Sequence, residues 1–237
     1  MAKKRTLRAI GIPTVTAREV RFDTGRFSGT VGGIFLRPQE LRWMFVFAHG
    51  AGAGMRHPFM ESVASLLAQH GVGSFRYQFP YMEKGSRRPD TKPVLFDTVR
   101  TAVRIASELA EGVPLIAGGK SMGGRMTSMA AAQHALPGVR GIIFFGFPLH
   151  PPGKPSIERA EHLVRVQIPM LFLQGTRDTL ADLSLLKPVC EQLGTRATLH
   201  IEDGADHSFR VQKTSGMTNS DKLLRIVNAV VTWLDHL

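Results

Sequence analysis

A serine framed by glycines is the feature of this sequence with the clearest chemical meaning. Ser121 lies in the segment Gly-Gly-Lys-Ser-Met-Gly-Gly, directly after the apolar run 113–117 and before a stretch of helical periodicity. The spacing Gly119-x-Ser121-x-Gly123 is typical of a sharp turn between a strand and a helix that lifts a nucleophilic hydroxyl above a sheet. We therefore interpret Ser121 as a nucleophile, with an incidental serine in a glycine-rich turn as the alternative.

The same segment also matches the end of a phosphate-binding loop, since Lys120 and Ser121 follow a glycine. That motif needs a second glycine five residues before Gly119, and the residue there is Pro114. Pro114 also lies inside the expected strand, which leaves no loop to wrap a phosphate. We exclude a nucleotide site and predict that no cofactor is needed.

A serine nucleophile needs a base, and the base needs a carboxylate that orients it. Asp178 follows the apolar run 169–173, and His207 follows the run 197–201, so both are expected on loops at strand ends. Their order along the chain, serine then acid then histidine, is the order of the strand-turn-helix hydrolases. We predict that His207 takes the proton of Ser121 and that Asp178 orients His207.

Each of these two assignments has an alternative. Asp178 is also placed to cap a helix over 179–193, although the next acid, Asp182, would then lie inside that helix. His207 is alternatively an exposed loop histidine. Asp203 and Asp206 are expected to shape the loop around His207 rather than to replace Asp178.

The negative charge that develops during acyl transfer needs backbone amides aimed at it. The residue after the nucleophile, Met122, supplies one expected donor. The glycine-rich segment after the run 43–48 supplies the other, with Ala51 as our choice and Gly52 next. The alternative is a flexible turn without a role, and we expect His49 to be a hydrogen-bonded structural residue.

The segment 79–93 reads as a loop inserted at the catalytic edge. It carries Tyr81, Arg87 and Arg88, and its only acids are Glu83 and Asp90. We predict that Tyr81, Arg87 and Arg88 border the substrate mouth and favour acidic acyl compounds. The alternative is a solvated basic loop.

These residues must be positioned by a sheet, because short apolar runs alternate with helical periods along the chain. Two runs, 19–22 and 31–36, flank turn residues and predict an N-terminal hairpin. The later runs alternate with helices, which predicts an α/β fold with a mostly parallel, doubly wound sheet. In such sheets the working residues collect at the carboxyl ends of the strands.

Composition sets the outer bounds of the interpretation. The chain has 237 residues, 43% of them hydrophobic, and its 30 Lys and Arg against 19 Asp and Glu give a net charge of +11. We predict a basic segment over 1–17 and one domain over 18–237. The charge is scattered over strands and turns, so we predict no nucleic-acid partner. A single cysteine, no membrane-length apolar run and no metal-binding pattern predict a cytoplasmic protein without a membrane partner or a metal.

Four motifs in order resemble one known group of proteins: residues 49–60, 75–81, 119–125 and 204–209. They are similar to the small α/β-hydrolase group that includes testis-expressed protein 30 and its bacterial relatives, which in turn resembles dienelactone hydrolases. The resemblance implies an α/β-hydrolase fold with little or no lid, and the roles of nucleophile, acid and base for Ser121, Asp178 and His207. Dienelactone hydrolases usually present cysteine where this chain has serine, so the resemblance supplies no substrate.

The expected function is a serine hydrolase that cleaves small-molecule carboxylic esters or thioesters through an acyl-enzyme. The alternative is a non-catalytic protein-interaction module on the same fold, because the group also resembles a subunit of a chromatin-modifying complex. The sequence leaves the acyl-chain preference and the oligomeric state open.

Overall fold

The fold is built on one eight-stranded sheet, seen in a computed structural model that describes residues 15–25, 29–212 and 216–237. Most of the basic segment predicted over 1–17 lies outside the described residues, although the first strand already includes residues 15–17. The strands are β1 Val15–Asp23, β2 Thr30–Pro38, β3 Trp43–Ala48, β4 Val72–Tyr77, β5 Leu115–Lys120, β6 Val139–Phe145, β7 Met170–Gly175 and β8 Ala197–Glu202.

The order of the strands across the sheet is β1-β2-β4-β3-β5-β6-β7-β8. The strands β1 and β2 form the predicted antiparallel hairpin, and β2 pairs antiparallel with β4. All pairs from β4 to β8 are parallel. The chain winds outward in one direction from β3 and in the other from β5, so the loops that follow these two strands meet at a topological switch point.

Helices cover both faces of the sheet. The α-helices are α1 Pro58–Ala68, α2 Pro80–Glu83, α3 Lys92–Ala110, α4 Met122–Gln133, α5 Leu183–Leu193 and α6 Asn219–Leu234, and the 3₁₀ helices are Glu158–Arg165 and Gly194–Arg196. Alternate residues of β3 contact the two layers: Phe45 and Phe47 pack with α1 and α6, whereas Met44 and Val46 pack with α3 and α4. This alternation is what a strand buried on both faces requires. No helix in the described ranges is long and apolar enough to cross a bilayer.

Two element predictions are corrected by the structure, and a third is refined. The residue pattern over 156–164 indicates a helical segment, and the structure shows that it is the 3₁₀ helix Glu158–Arg165. The segment 79–93 is not a simple loop, because it contains α2 and the start of α3. Helix α5 begins at Leu183, and Asp182 is its N-cap, with a side chain that accepts a hydrogen bond from the Ser184 amide. A short carboxylate satisfies a free amide at a helix start better than it fits a helix interior, which explains the later start.

Candidate active site

Ser121 occupies the turn between β5 and α4 in a strained backbone conformation. Its φ of 51° and ψ of −117° lie in a region that residues other than glycine rarely adopt. Holding a serine there costs on the order of 1–3 kcal/mol. The surrounding hydrogen bonds hold this conformation: the Ser121 amide donates to the Phe145 carbonyl, and the Ser121 carbonyl accepts from the Arg125 amide. This backbone conformation places the serine hydroxyl above the end of the sheet.

The glycines around Ser121 are required by the close approach of β3. A Cβ atom on Gly123 would lie 2.5 Å from the Ala48 carbonyl oxygen and 2.6 Å from that of His49. A Cβ atom on Gly119 would overlap the same Ala48 oxygen. Helix α4 therefore packs with its first turn directly against the backbone of the neighbouring strand, and only glycine permits that contact.

The structure brings Ser121, His207 and Asp178 together in one hydrogen-bonded series. The His207 Nε2 atom lies 2.8 Å from the Ser121 hydroxyl oxygen, and the His207 Nδ1 atom lies 2.7 Å from Asp178 Oδ2. The tautomer that satisfies both contacts carries its proton on Nδ1, so Nε2 accepts from the serine hydroxyl. The Asp178 side chain is fully buried, whereas 23% of the His207 side chain is exposed to the cavity described below.

Asp178 is held by donors from three directions. Besides His207, its carboxylate accepts from the Gln174 side-chain amide at 2.5 Å and from the Leu180 backbone amide at 2.8 Å. It does not cap a helix, since α5 begins only at Leu183. The alternative function of Asp178 as an N-cap is therefore wrong, and the carboxylate is oriented by a rigid set of partners.

The loop that carries His207 is shaped by a neighbouring acid, as predicted for Asp206. One Asp206 carboxylate oxygen accepts hydrogen bonds from the backbone amides of Ser208 and Arg210, at 2.8 and 2.9 Å. Asp203 contacts the loop after β7 instead, by accepting a hydrogen bond from the Thr176 hydroxyl. These bonds tighten the turn on both sides of His207.

Lys120 is a site residue whose structural contacts the sequence interpretation missed. Its ammonium donates a hydrogen bond to the His207 carbonyl oxygen at 2.5 Å and lies within 6 Å of the ring centres of Phe59 and Phe209. Burial lowers its pKa to about 8, against the opposing attraction of Asp178 and Asp206. The sequence signal was the charged residue inside the glycine turn, which we considered only as part of a phosphate loop.

Two of the three expected oxyanion donors are available. Within the described part of the chain, the amides of Met122 and Ala51 donate to no other protein group. The Gly52 amide is occupied, because it donates to the Tyr81 hydroxyl at 3.2 Å. A Cβ atom on Gly50 would lie 3.7 Å from the Ser121 Cβ atom, so this loop borders the serine directly.

His49 has the structural role expected of it. Its Nδ1 atom donates to the Gly50 carbonyl at 2.8 Å, and its Nε2 atom accepts from the Phe79 amide at 3.1 Å. Complete burial lowers its pKa to about 4, so the ring is neutral at physiological pH. It joins the loop after β3 to the loop after β4.

The predicted placement of Tyr81 at the substrate mouth is corrected. Its ring is 2% exposed and lies near His49, while its hydroxyl supports the Gly52 amide. The start of α2 at Pro80 turns this side chain inward, and the Tyr81 amide donates to Asp90. Arg87 and Arg88 are exposed side chains that do not contribute to the described lining of the cavity at Ser121.

A cavity of about 590 Å³, here called the serine cavity, opens onto Ser121 and His207. Its apolar lining includes Phe59, Phe209 and Leu223, and its cationic lining consists of Lys120 and Arg210. This mixture of apolar walls with a few polar groups is typical of small-molecule sites. A larger groove of about 660 Å³ lies beside β8 and α6, and none of the residues of the serine-histidine-aspartate series lines it.

A second serine-histidine pair lies on the other side of α4. The Ser128 hydroxyl oxygen is 2.7 Å from His162 Nε2, and both side chains are buried. Burial and the nearby charge of Arg125 lower the pKa of His162 to about 4. Among the described residues no carboxylate bonds to His162, so this pair lacks the acid that a base needs.

The described residues also form no group of three or more His, Cys, Asp or Glu arranged to hold a metal ion.

Comparisons with known proteins agree with the fold described above. A family described as alpha/beta hydrolase domain matches residues 42–235. A dienelactone hydrolase from Anabaena variabilis superimposes with a TM-score of 0.72 at 20% identity, over 93% of this chain and 98% of that one. An alpha-beta serine hydrolase homologue from Coxiella burnetii gives 0.72 at 16% identity, over 92% and 97%.

A third solved structure, a serine hydrolase without a lid from Xanthomonas campestris, gives a TM-score of 0.68 at 19% identity, over 90% of this chain and 91% of that one. At such identities the likeness concerns the fold. The predicted sheet agrees with these structures, and so does the predicted resemblance to dienelactone hydrolases.

Proposed function

Since this chain belongs to the alpha/beta hydrolase family, we propose that it is a serine hydrolase that cleaves carboxylic esters or thioesters of modest size. The observation that carries the proposal is the hydrogen-bonded series from Ser121 through His207 to Asp178 at the mouth of the serine cavity. A hydroxyl, an imidazole and a carboxylate in contact are what acyl transfer through a covalent intermediate requires.

The proposed reaction has two halves. His207 Nε2 takes the proton of Ser121 as the serine oxygen attacks the acyl carbon, and the tetrahedral oxyanion is held by the Met122 and Ala51 amides, each worth about 2.7–4 kcal/mol. The carbon–oxygen or carbon–sulfur bond then breaks, and His207 returns the proton to the leaving alcohol or thiol. Water then attacks the acyl carbon as His207 Nε2 takes its proton. The bond between the acyl carbon and the Ser121 oxygen breaks, His207 returns that proton to the serine oxygen, and the acid leaves. Asp178 keeps Nδ1 protonated throughout.

Substrate contact is proposed for the walls of the serine cavity rather than for Tyr81. Phe59, Phe209 and Leu223 offer an apolar surface for the acyl or alcohol group of a small molecule. The volume of about 590 Å³ suits a compound of modest size. The preference for acidic acyl groups that we based on Arg87 and Arg88 loses its basis, since neither side chain lines this cavity.

Labelling with a fluorophosphonate probe tests the proposal, because the probe reacts only with an activated serine. We expect one label per chain on Ser121, no label after Ser121→Ala, and unchanged labelling after Ser208→Ala, which removes a hydroxyl from the same cavity. With an ester substrate, Ser121→Ala should lower kcat by about a thousandfold or more. Folded protein that takes up no label would instead support the non-catalytic interaction module.

Several finer assignments remain part of the proposal. Within its family, we assign the chain to the small group that includes testis-expressed protein 30, on the four motifs at residues 49–60, 75–81, 119–125 and 204–209. We also propose one domain over 18–237 and a cytoplasmic location, the latter because the single cysteine, Cys190, allows no disulfide within the chain.

A further inference from the structure

A second cavity, of about 370 Å³, lies on the face of α4 that is remote from the serine cavity. Three elements form it: the start of α3, the first two turns of α4 and the 3₁₀ helix Glu158–Arg165. We call it the basic cavity, because its charged lining consists of four cations and two acids: Lys92, Arg125, Arg159, Arg165, Glu158 and Glu161.

The cations of the basic cavity have no carboxylate partner. Among the described residues, none of the four lies within ion-pair distance of an acid, although Glu158 and Glu161 line the same cavity. Some other arginines of the described residues do form such pairs, as Arg21 does with Glu83 at 2.6 Å, and others do not. What distinguishes the basic cavity is that its four cations line one cavity with no acid in ion-pair contact with any of them.

Arg125 shows the imbalance most clearly. Its side chain is half-buried, and it donates no hydrogen bond to any described protein group; its Nε atom is fully shielded from solvent. Burial and the like charge of Arg159 both lower the pKa of Arg125. A shielded donor without a hydrogen-bond partner destabilises the folded protein, and an anion bound between the two guanidinium groups would offset their mutual repulsion.

We propose that the basic cavity binds a small organic phosphate. Two half-buried guanidinium groups suit a phosphate ester because its tetrahedral oxygens accept parallel hydrogen bonds from the planar fork of arginine. The exposed Lys92 and Arg165 add positive charge at the rim. The uncharged remainder of the lining is Met129 and the buried His162, so no exposed aromatic ring is present to stack a nucleobase. A phosphorylated compound without a base, of a size to fill about 370 Å³, fits this chemistry.

The basic cavity is independent of the proposed hydrolase reaction. Arg125 lies in the first turn of α4, just after Ser121, and its backbone amide donates to the Ser121 carbonyl, but its side chain lines the basic cavity. Binding can therefore be measured whether or not Ser121 is a nucleophile, and each proposal can fail without the other.

Calorimetric titration of the full chain with glycerol 3-phosphate, at fixed ionic strength, tests the proposal. We expect one saturable site, and a Kd raised by about tenfold or more in Arg125→Gln and in Arg159→Gln, as loss of a charged hydrogen bond requires. Arg104→Gln removes the same charge from an exposed position about 18 Å along α3 from Lys92, and it should leave the Kd unchanged. Equal weakening in all three variants, or no saturation at millimolar concentrations, would overturn the proposal.

Four further titrations identify the ligand and the location. Glycerol should not bind, and acetate should bind more weakly than glycerol 3-phosphate; equal binding of acetate would overturn the choice of phosphate. Inorganic phosphate binding as tightly as the ester would overturn the organic ligand. Binding should survive Ser121→Ala, and its loss there would assign the ligand to the serine cavity. If Arg125→Gln does not fold, Arg159→Gln decides the result, because among the described residues the Arg159 side chain donates only one hydrogen bond, to the Pro148 carbonyl at 3.4 Å.

Discussion

At the scale of single residues, Asp178 controls which nitrogen of His207 can accept a proton. We predict that Asp178→Asn lowers kcat for an ester by about four orders of magnitude. The asparagine amide would donate to His207 Nδ1, the imidazole proton would move to Nε2, and Nε2 could no longer accept from Ser121. Steady-state kinetics on folded protein checks this, with Asp182→Asn as the control because that acid caps α5 and bonds to Ser184. A kcat for Asp178→Asn within tenfold of the parent would contradict the assignment.

Lys120 is a buried cation, so its contribution to stability depends on pH. Its pKa is about 8 in the folded protein and near 10.5 in the unfolded chain, so between these pH values the unfolded state binds more protons. The free energy of unfolding of the parent should therefore rise relative to Lys120→Met as the pH increases from 8 to 10.5, by up to about 3 kcal/mol. Other groups that titrate in this range are common to both proteins and cancel in the difference.

Urea unfolding of the two proteins at pH 7.5 and pH 10 measures that difference. Lys84→Met, at an exposed position, serves as the matched control and should show no such change with pH. A parent-to-variant difference that stays constant across the range would show that Lys120 is not buried as a cation.

The sequence predicted the three residues of the hydrogen-bonded series because each follows an apolar strand, and parallel strands bring their carboxyl ends to one edge. It could not predict the direction of a side chain within a short helix. Tyr81 turns inward because α2 begins at Pro80, and the resulting bond to Gly52 joins residues far apart in the chain. The carbonyl contact of Lys120 is equally non-local, since it depends on where the His207 loop packs.

At the scale of elements, the packing of α4 against β3 depends on Gly123. Alanine is the better helix former by about 1 kcal/mol, so propensity alone predicts that Gly123→Ala stabilises the protein. The added Cβ atom would instead lie 2.5 Å from the Ala48 carbonyl oxygen, a backbone atom that cannot rotate away. We predict a loss of about 3 kcal/mol or more in the free energy of unfolding, or no soluble protein.

Gly50→Ala is the control for that variant. Its Cβ atom would meet its nearest neighbour at 3.5 Å, an ordinary contact, so the free energy of unfolding should change by less than about 1 kcal/mol. Chemical denaturation of both variants gives the comparison. Equal stabilities for the two variants would mean that α4 can shift away from β3 at little cost.

The element predictions are correct where the apolar pattern is strong, and they are wrong where local hydrogen bonds determine where an element begins. The continuous apolar run Trp43–Ala48 predicted β3 to the residue, because a strand buried on both faces excludes polar side chains. The start of α5 was predicted too early because a carboxylate at Asp182 bonds to a backbone amide, a competition that apolar periodicity does not detect. The 3₁₀ conformation of Glu158–Arg165 is wound more tightly than an α-helix, but over so short a segment the apolar spacing does not separate the two.

At the scale of the whole molecule, the sheet separates two cavities of different chemistry. The serine cavity lies on the side of α1 and α6, and the basic cavity lies on the side of α3 and α4. Helix α4 lies between them, because Ser121, which lines the serine cavity, directly precedes its first residue and Arg125 in its first turn lines the basic cavity. The basic cavity could not be predicted from the sequence, because its charged residues come from three separate segments of the chain.

Two buried histidines, His49 and His162, have lowered pKa values, and together they predict acid sensitivity. His49 and His162 both have a pKa of about 4 in the folded protein against 6.5 in the unfolded chain. Between pH 6.5 and pH 4 the unfolded state binds up to two more protons, so the free energy of unfolding should fall as the pH falls, by about 2.7 kcal/mol per pH unit near pH 5. The total loss of up to about 6 kcal/mol is comparable with the whole stability of a typical domain.

Urea denaturation at half-unit steps from pH 7 to pH 4.5 measures the slope of the free energy of unfolding against pH, and His49→Asn or His162→Asn should each halve that slope. A free energy of unfolding that does not change between pH 7 and pH 4.5 would mean that both rings take up protons in the folded protein. In that case the Phe79 amide could no longer donate to His49 Nε2 in acid, and the buried hydrogen bonds of His49 to Gly50 and Phe79 would have to rearrange.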